Sequence, residues 1–232
     1  MKSCFSISGD TRMKILGING SPRGNRSQTM RLMKAALEGA ASAGAKVELV
    51  DICQLNIKYC TGCGVCYAQG VCVHEDDFSA VYERLVQCDG FIFGSPNYLR
   101  SVTAQLKAFL DRMSDAIHCQ LLSGKYGCSV ATAGSLASAE VTDYLNQQIL
   151  VFGAYAVGSA GACPNIPGSM EKGLAEAGAL GRSIALAIAE RRSYPEQEAV
   201  HKELEGRFCH LVDMNRDAWP HEYQYWRGKG LI

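Results

Sequence analysis

Short apolar runs alternate with stretches in which apolar side chains recur every three or four positions, and this alternation organises the chain. Residues 15–19 (ILGIN) form the first run and predict a strand. Met30, Leu32, Met33, Ala36 and Leu37 follow at helical spacing, with Gly39 and Gly44 bracketing the end. Residues 47–52 (VELVDI) predict a second strand. Asp76 and Asp77 open a helix carrying Phe78, Val81, Tyr82, Leu85 and Val86, since acidic residues are favoured in a first turn. Residues 91–93 (FIF) carry no polar position, as expected of a strand in a parallel sheet covered on both faces. A helix over 103–113, a strand over 127–131, a helix over 139–151, a strand over 154–157 and a helix over 174–192 continue the pattern. Five strands alternating with helices predict one α/β domain on a parallel sheet with right-handed crossovers. No repeat or Pro/Gly/Ser-rich linker divides it.

The ends read differently. Residues 1–12 lack periodicity and are expected to be a flexible extension; 13–194 are the α/β domain. In 195–232 a charged helix over 196–211 precedes a tail with Trp219, Tyr223, Tyr225 and Trp226 among polar residues. Exposed aromatics are a liability, so the tail is expected to dock on its own domain or a sister subunit, a lid over a ligand being the alternative. Acidic and basic residues balance at 23 each without long runs of either sign, which argues against nucleic-acid and membrane-surface partners. Residues 1–12 lack an apolar stretch long enough to be expected to act as a secretion signal, and the longest uncharged run, 149–163, is broken by Gly and Ser. It falls short of the roughly 20 residues of a spanning helix. A soluble, cytoplasmic protein is expected, whose 11 cysteines stay reduced.

Three loops leaving strand ends carry candidate chemistry. Residues 14–29 (KILGINGSPRGNRSQT) run from a strand through a Gly-Ser-Pro-Arg turn into a helix. Such a turn aims backbone N–H groups and the positive end of the helix dipole at one spot. Arg23 adds a planar fork suited to phosphate, and Ser21, Ser27 and Thr29 add hydroxyls. The plain alternative is a strand–helix connection whose Ser and Asn residues only cap the helix. The stretch matches neither GxGxxG nor GxxxxGK[ST], so a nucleotide of another kind is expected. The loops at 95–101 and 132–138, rich in Gly, Ser, Thr and Asn, are suited to clasp a flat polar ring, with Tyr98 against its face. In an open parallel sheet ligands bind at that edge.

Cys60, Cys63, Cys66 and Cys72 are spaced C-x2-C-x2-C-x5-C, with Gly62, Gly64 and Gly70 letting the backbone fold between them. Steps of two intervening residues suit a loop wrapped around a [4Fe–4S] cluster. Tetrahedral zinc is the competing occupant, and an uncoordinated set of thiols the third reading. His74 is a substitute ligand or, more simply, an exposed side chain. Cys53, Cys88 and Cys128 lie on or beside apolar strands as small buried residues, and Cys119 and Cys163 fall in expected loops. The Asp111–Arg112 pair at a helix end reads as structural or interfacial. No Ser/His/Asp set or paired carboxylates support hydrolysis.

The segments 18–29 (INGSPRGNRSQT), 60–72 (CTGCGVCYAQGVC), 76–77 (DD) and 94–112 (GSPNYLRSVTAQLKAFLDR) resemble the flavodoxin-like NADPH-dependent FMN reductases, and more narrowly their iron–sulfur flavoprotein branch. The likeness covers the first half of the chain specifically; 127–160 match in pattern only. It implies a three-layer sandwich with strand order 2-1-3-4-5, a C-terminal helical and tail extension, and one FMN per subunit. It further implies phosphate contacts from Ser21, Arg23, Ser27, Gln28 and Thr29, a flavin ring lined by Pro96, Asn97, Tyr98 and Leu99, and Thr132, Ala133, Gly134 and Ser135 closing the other side. Subunits of the family pair so that a cluster loop approaches a neighbour's flavin, which implies a homodimer or homotetramer.

The expected activity is an FMN-dependent oxidoreductase. It would pass electrons between NAD(P)H or a ferredoxin-like donor and a quinone, flavin, oxygen species or protein acceptor, through flavin and cluster. The alternatives are a non-catalytic flavin or cluster redox sensor or carrier, and a zinc-stabilised FMN reductase.

Overall fold

The computed structural model describes residues 13–134 and 138–232, so the expected extension at 1–12 lies outside the described residues. Five strands, β1 (Lys14–Asn19), β2 (Lys46–Asp51), β3 (Gly90–Pro96), β4 (Tyr126–Thr132) and β5 (Tyr155–Ala162), form one parallel sheet in the order β2-β1-β3-β4-β5. The three central strands are buried along nearly their whole length, because both their faces are covered. β2 lies at an edge and alternates in exposure. β5, the other edge, runs to Ala162 rather than to 157. Its Gly/Ala/Ser sequence carries no strand periodicity, and its pairing with β4 extends it.

Helices α1 (Gln28–Ser42) and α7 (Ser169–Glu190) cover one face, where Ile15, Ile92 and Val130 meet Leu32, Met33, Ala177 and Ile184. Helices α3 (Phe78–Gln87), α4 (Ala104–Asp111) and α6 (Ser138–Val151) cover the other, where Leu16, Ile18, Phe91 and Phe93 meet Leu85, Leu106 and Leu145. α1 and α7 touch through their backbones. A Cβ added at Gly181 would stand 1.8 Å from Ala36 O, and one at Gly39 2.1 Å from Gly178 O.

The helix expected over 103–113 ends at Asp111, and a short helix, α5 (Ser114–His118), follows it. Cys119 and Cys163 are buried rather than in open loops, whereas Cys53 is only half-buried. After α7 come α8 (Pro195–Met214) and α9 (Pro220–Gly228). The aromatic tail is therefore largely a helix. It docks on its own chain: Trp226 is fully buried with Phe208 and Val212, and its Nε1 donates to His118 O at 3.2 Å. Among the described residues no helix is long and apolar enough to cross a membrane.

Candidate functional site

The loops leaving β1, β3, β4 and β5 enclose a cavity of about 340 Å³ at the carboxyl edge of the sheet. The first turn is pinned from several sides. Gly20 N donates to Gly94 O at 2.8 Å, and Thr103 Oγ1, at the N-cap of α4, donates to Gly20 O at 2.6 Å. A Cβ at Gly20 would come within 2.7 Å of Leu106 Cβ, so glycine lets the turn lie against α4. Asn19 Nδ2 donates to Asp51 Oδ1 at 3.2 Å and thereby ties β1 to β2. Ser21, fully buried in this frame, has a side-chain oxygen without a hydrogen-bond partner.

A single 3-10 turn, Gly24–Arg26, lies between Arg23 and α1. Ser27 caps α1, its side chain accepting from Met30 N at 3.0 Å, so the capping alternative holds for this residue while it also lines the cavity. The Thr29 and Thr132 hydroxyls share a 2.6 Å hydrogen bond that joins the first loop to the third. Asn97 N donates to Thr132 O at 2.7 Å, joining the second. Thus Ser21, Arg23, Ser27, Gln28, Thr29, Pro96, Asn97, Tyr98, Thr132, Ala133 and Gly134 share one cavity. Leu99 does not. It sits at φ 50 and is completely exposed, because a left-handed pair, Leu99–Arg100, closes the Tyr98–Ser101 bridge and turns it outward. Ser135 lies outside the described residues.

Sequence reasoning missed Arg26, Pro164 and Asn165 in the lining. Asn165 Nδ2 donates to Gly134 O at 2.9 Å and so braces the third loop from the fourth. The Pro/Asn-rich stretch 163–168 was the available signal, since it leaves the same strand edge. Two guanidinium groups, a bare hydroxyl and a helix N-terminus therefore stand on one side of the cavity, with amide, proline and phenol groups on the other. That arrangement suits an anionic group joined to a flat polar ring.

The cysteine loop, residues 59–73, follows β2 in the chain and has its own scaffold. Cys60 and Cys63 are exposed, Cys66 and Cys72 half-buried, and all four are free thiols. Gly62, Gly64 and Gly70 take left-handed φ values of 66, 71 and 75, turning the backbone around a short helix, α2 (Val65–Gln69). Gly62 N donates to Cys60 Sγ at 3.4 Å. The Val65 backbone N–H and the Thr61 hydroxyl hold the Cys63 thiol below its ordinary pKa. Burial, with Asp115 and Glu222 nearby, pushes Cys66 up to about 12. Among the described residues no three His, Cys, Asp or Glu side chains form a metal-ligand group. His74 is half-buried rather than exposed, its Nε2 buried without a partner.

Asp76 and Asp77 do more than begin a helix. Asp76 Oδ2 accepts from Lys58 N at 2.8 Å and Asp77 Oδ2 from Asn56 N at 2.7 Å, stapling the two ends of the loop together. α2 packs on α5 and on the start of α9: the Tyr67 ring lies 4.7 Å from His118 of α5 and 4.9 Å from Trp219, the residue before α9. Glu222, wholly buried, pairs with His118 Nδ1 at 3.0 Å.

The family model described as NADPH-dependent FMN reductase matches residues 13–167. An iron–sulfur flavoprotein of Archaeoglobus fulgidus is 38% identical over 225 residues, covering 95% of this chain and 100% of that protein. The chain belongs to the NADPH-dependent FMN reductase family, in its iron–sulfur flavoprotein branch. Membership makes it a flavoprotein oxidoreductase whose flavin is FMN. An iron–sulfur flavoprotein of Methanocaldococcus jannaschii is 35% identical over 123 residues, 53% of this chain and 63% of that one. Among solved structures, a flavone reductase superposes with a TM-score of 0.64 at 21% identity, over 78% of this chain and 66% of that chain. It shares the flavodoxin-like fold.

Proposed function

We propose that the cavity at the carboxyl edge holds FMN and that the 59–73 loop holds a [4Fe–4S] cluster. On this reading the protein moves electrons between NAD(P)H or a ferredoxin-like donor and a quinone, flavin, oxygen or protein acceptor. The observation that carries the flavin site is the buried Ser21 hydroxyl, left without a partner in a cavity that also presents Arg23 and Arg26. A buried donor is rarely left bare unless a ligand meets it.

Bound FMN exchanges two electrons together or singly, and a cluster carries them one at a time. The chain supplies the rest. Ser21, Arg23, Arg26 and the N-terminus of α1 bind and neutralise the phosphate. Pro96, Asn97 and Tyr98 orient the ring from one side, Thr132, Ala133 and Gly134 from the other, and the Thr29–Thr132 bond keeps the walls at a fixed spacing. Cys60, Cys63, Cys66 and Cys72 fit an iron centre by chemistry. They are reduced, two already sit near backbone or hydroxyl donors, and the Cys66 thiol, raised by burial and then by nearby carboxylates, becomes a ligand once iron compensates the charge. Tyr59 and Val71 in that loop and Leu99 beside the cavity are exposed apolar side chains. A second copy covering them makes a homodimer or homotetramer part of the same proposal.

The test is chemical analysis and spectroscopy of protein purified without air. One FMN and about four iron and four sulfide per chain are expected, together with NAD(P)H- or ferredoxin-linked reduction of the flavin. Zinc in place of iron sinks the cluster; a flavin that no donor reduces sinks the enzyme in favour of a carrier. Cys63→Ala should bleach the iron–sulfur absorbance and leave FMN bound, whereas loss of both would show that the two sites are not separate.

A further inference from the structure

Arg112 closes α4 and is almost wholly buried, its side chain 1% exposed. Nη1 makes its ion pair with Asp76 Oδ2 at 2.5 Å and also donates to Lys58 O at 3.3 Å. The Phe78 ring covers one face of the guanidinium at 4.2 Å. Nε and Nη2 are buried and have no partner. These two atoms form the side edge of the guanidinium, whose N–H bonds run parallel and suit one acceptor or an adjacent pair. Anchoring the loop needs only Nη1, so the bare edge is unexplained by the staple.

A cavity of about 410 Å³ is lined by Arg112 together with Cys66 and Cys72. Among its other polar groups, Gln87 Nε2 donates to Glu83 Oε1 at 3.0 Å. Asp115 Oδ1 accepts from the Tyr82 hydroxyl at 2.9 Å, and the His221 ring packs against Gly70. We propose that Arg112 is a tuning residue for the centre bound by Cys60, Cys63, Cys66 and Cys72, its Nε–H and Nη2–H donating to sulfur of that centre. This rests on the cluster reading above. Donors and positive charge beside the sulfurs stabilise an added electron. Arg112 therefore raises the centre's potential.

The experiment is a potentiometric titration of the holoprotein, followed by electron paramagnetic resonance, for wild type, Arg112→Lys, Arg112→Gln and Asp76→Asn. Lysine can keep the contacts to Asp76 and Lys58 O but has no second edge. Its midpoint should fall by a tenfold change in the one-electron equilibrium, about 59 mV, with FMN content unchanged. Glutamine should fall at least as far. Asp76→Asn breaks the staple and keeps the edge, so its midpoint should not fall. Loss of iron from the Arg112 variants alone also supports the proposal. An unchanged midpoint in Arg112→Lys overturns it, as does an equal fall, or equal iron loss, in Asp76→Asn, since either makes Arg112 a loop anchor only. Wild-type protein without iron and sulfide refutes the cluster reading itself, and that result is read before any variant is made.

Discussion

Replacing Ser21 by alanine should move two quantities in opposite directions. In the flavin-free chain the Ser21 hydroxyl is fully buried and its oxygen has no partner. A buried polar group without a hydrogen bond costs about 1–3 kcal/mol. Alanine removes only that oxygen, so the cavity it leaves is negligible, and the flavin-free protein should be as stable as wild type or more stable by up to about 1 kcal/mol. On the proposed reading the hydroxyl donates to the FMN phosphate in the loaded protein, a charge-assisted bond worth about 1.5–3 kcal/mol. FMN should therefore bind roughly tenfold to a hundredfold more weakly. Urea unfolding of stripped protein measures the first quantity and quenching of flavin fluorescence on titration the second. Ser27→Ala is the matched control. Its side chain caps α1 through Met30 N, so the same chemical change should destabilise the stripped protein by about 1 kcal/mol. An unchanged FMN affinity in Ser21→Ala, or a stability loss like that of Ser27→Ala, would refute the reasoning.

Other substitutions test the frame. Gly181→Ala forces a Cβ to 1.8 Å from Ala36 O, so α1 and α7 must part. A loss of about 1–3 kcal/mol is expected, whereas Gly206→Ala on α8, with nothing within 4 Å, should gain up to about 1 kcal/mol from helix propensity. Urea midpoints at equal m decide between the two signs. Burial pushes the Asp76 carboxyl up, but hydrogen bonds from Arg112, Lys58 N and Phe78 N outweigh it and hold the pKa below its usual value. Its stabilisation is therefore complete above the unfolded pKa of about 4 and lost as pH falls through the lower folded value. Asp76→Asn should be less stable at neutral pH and lose less on acidification; an acid limb parallel to wild type contradicts this. Trp226→Ala removes a fully buried side chain at about 3–5 kcal/mol. Because α9 carries the groups that pack on α2, iron content should fall before FMN content, and a variant losing flavin first would separate the tail from the cysteine loop.

The parallel sheet was legible because its evidence is local. Runs such as FIF at 91–93 and ILGIN at 15–19 need no knowledge of distant residues to read as strands covered on both faces. The resemblance supplied the strand order, and most of the expected cavity lining does stand together because residues that follow strand ends converge on one edge of such a sheet. Ser21, Arg23, Thr29, Asn97, Tyr98 and Thr132 needed only that rule. Asn165 obeys it too and was missed because only 154–157 of β5 reads as strand, and its continuation to Ala162 is decided by pairing with β4. Leu99 departed from it because two successive left-handed residues turn it out, a geometry that leucine and arginine do not announce.

What only the tertiary structure decided are contacts between residues far apart in the chain. Arg112 meets Asp76 across 36 positions, and Trp226 meets His118 across 108. The same holds for the Gly181–Ala36 approach and the packing of α9 on the cysteine loop. A sequence records that a charge, an indole or a glycine is present. Whether it is buried, and which of its donors is left bare, depends on the elements that fold against it, and so the spacing of four cysteines could be read early while the bare edge of Arg112 beside them could not.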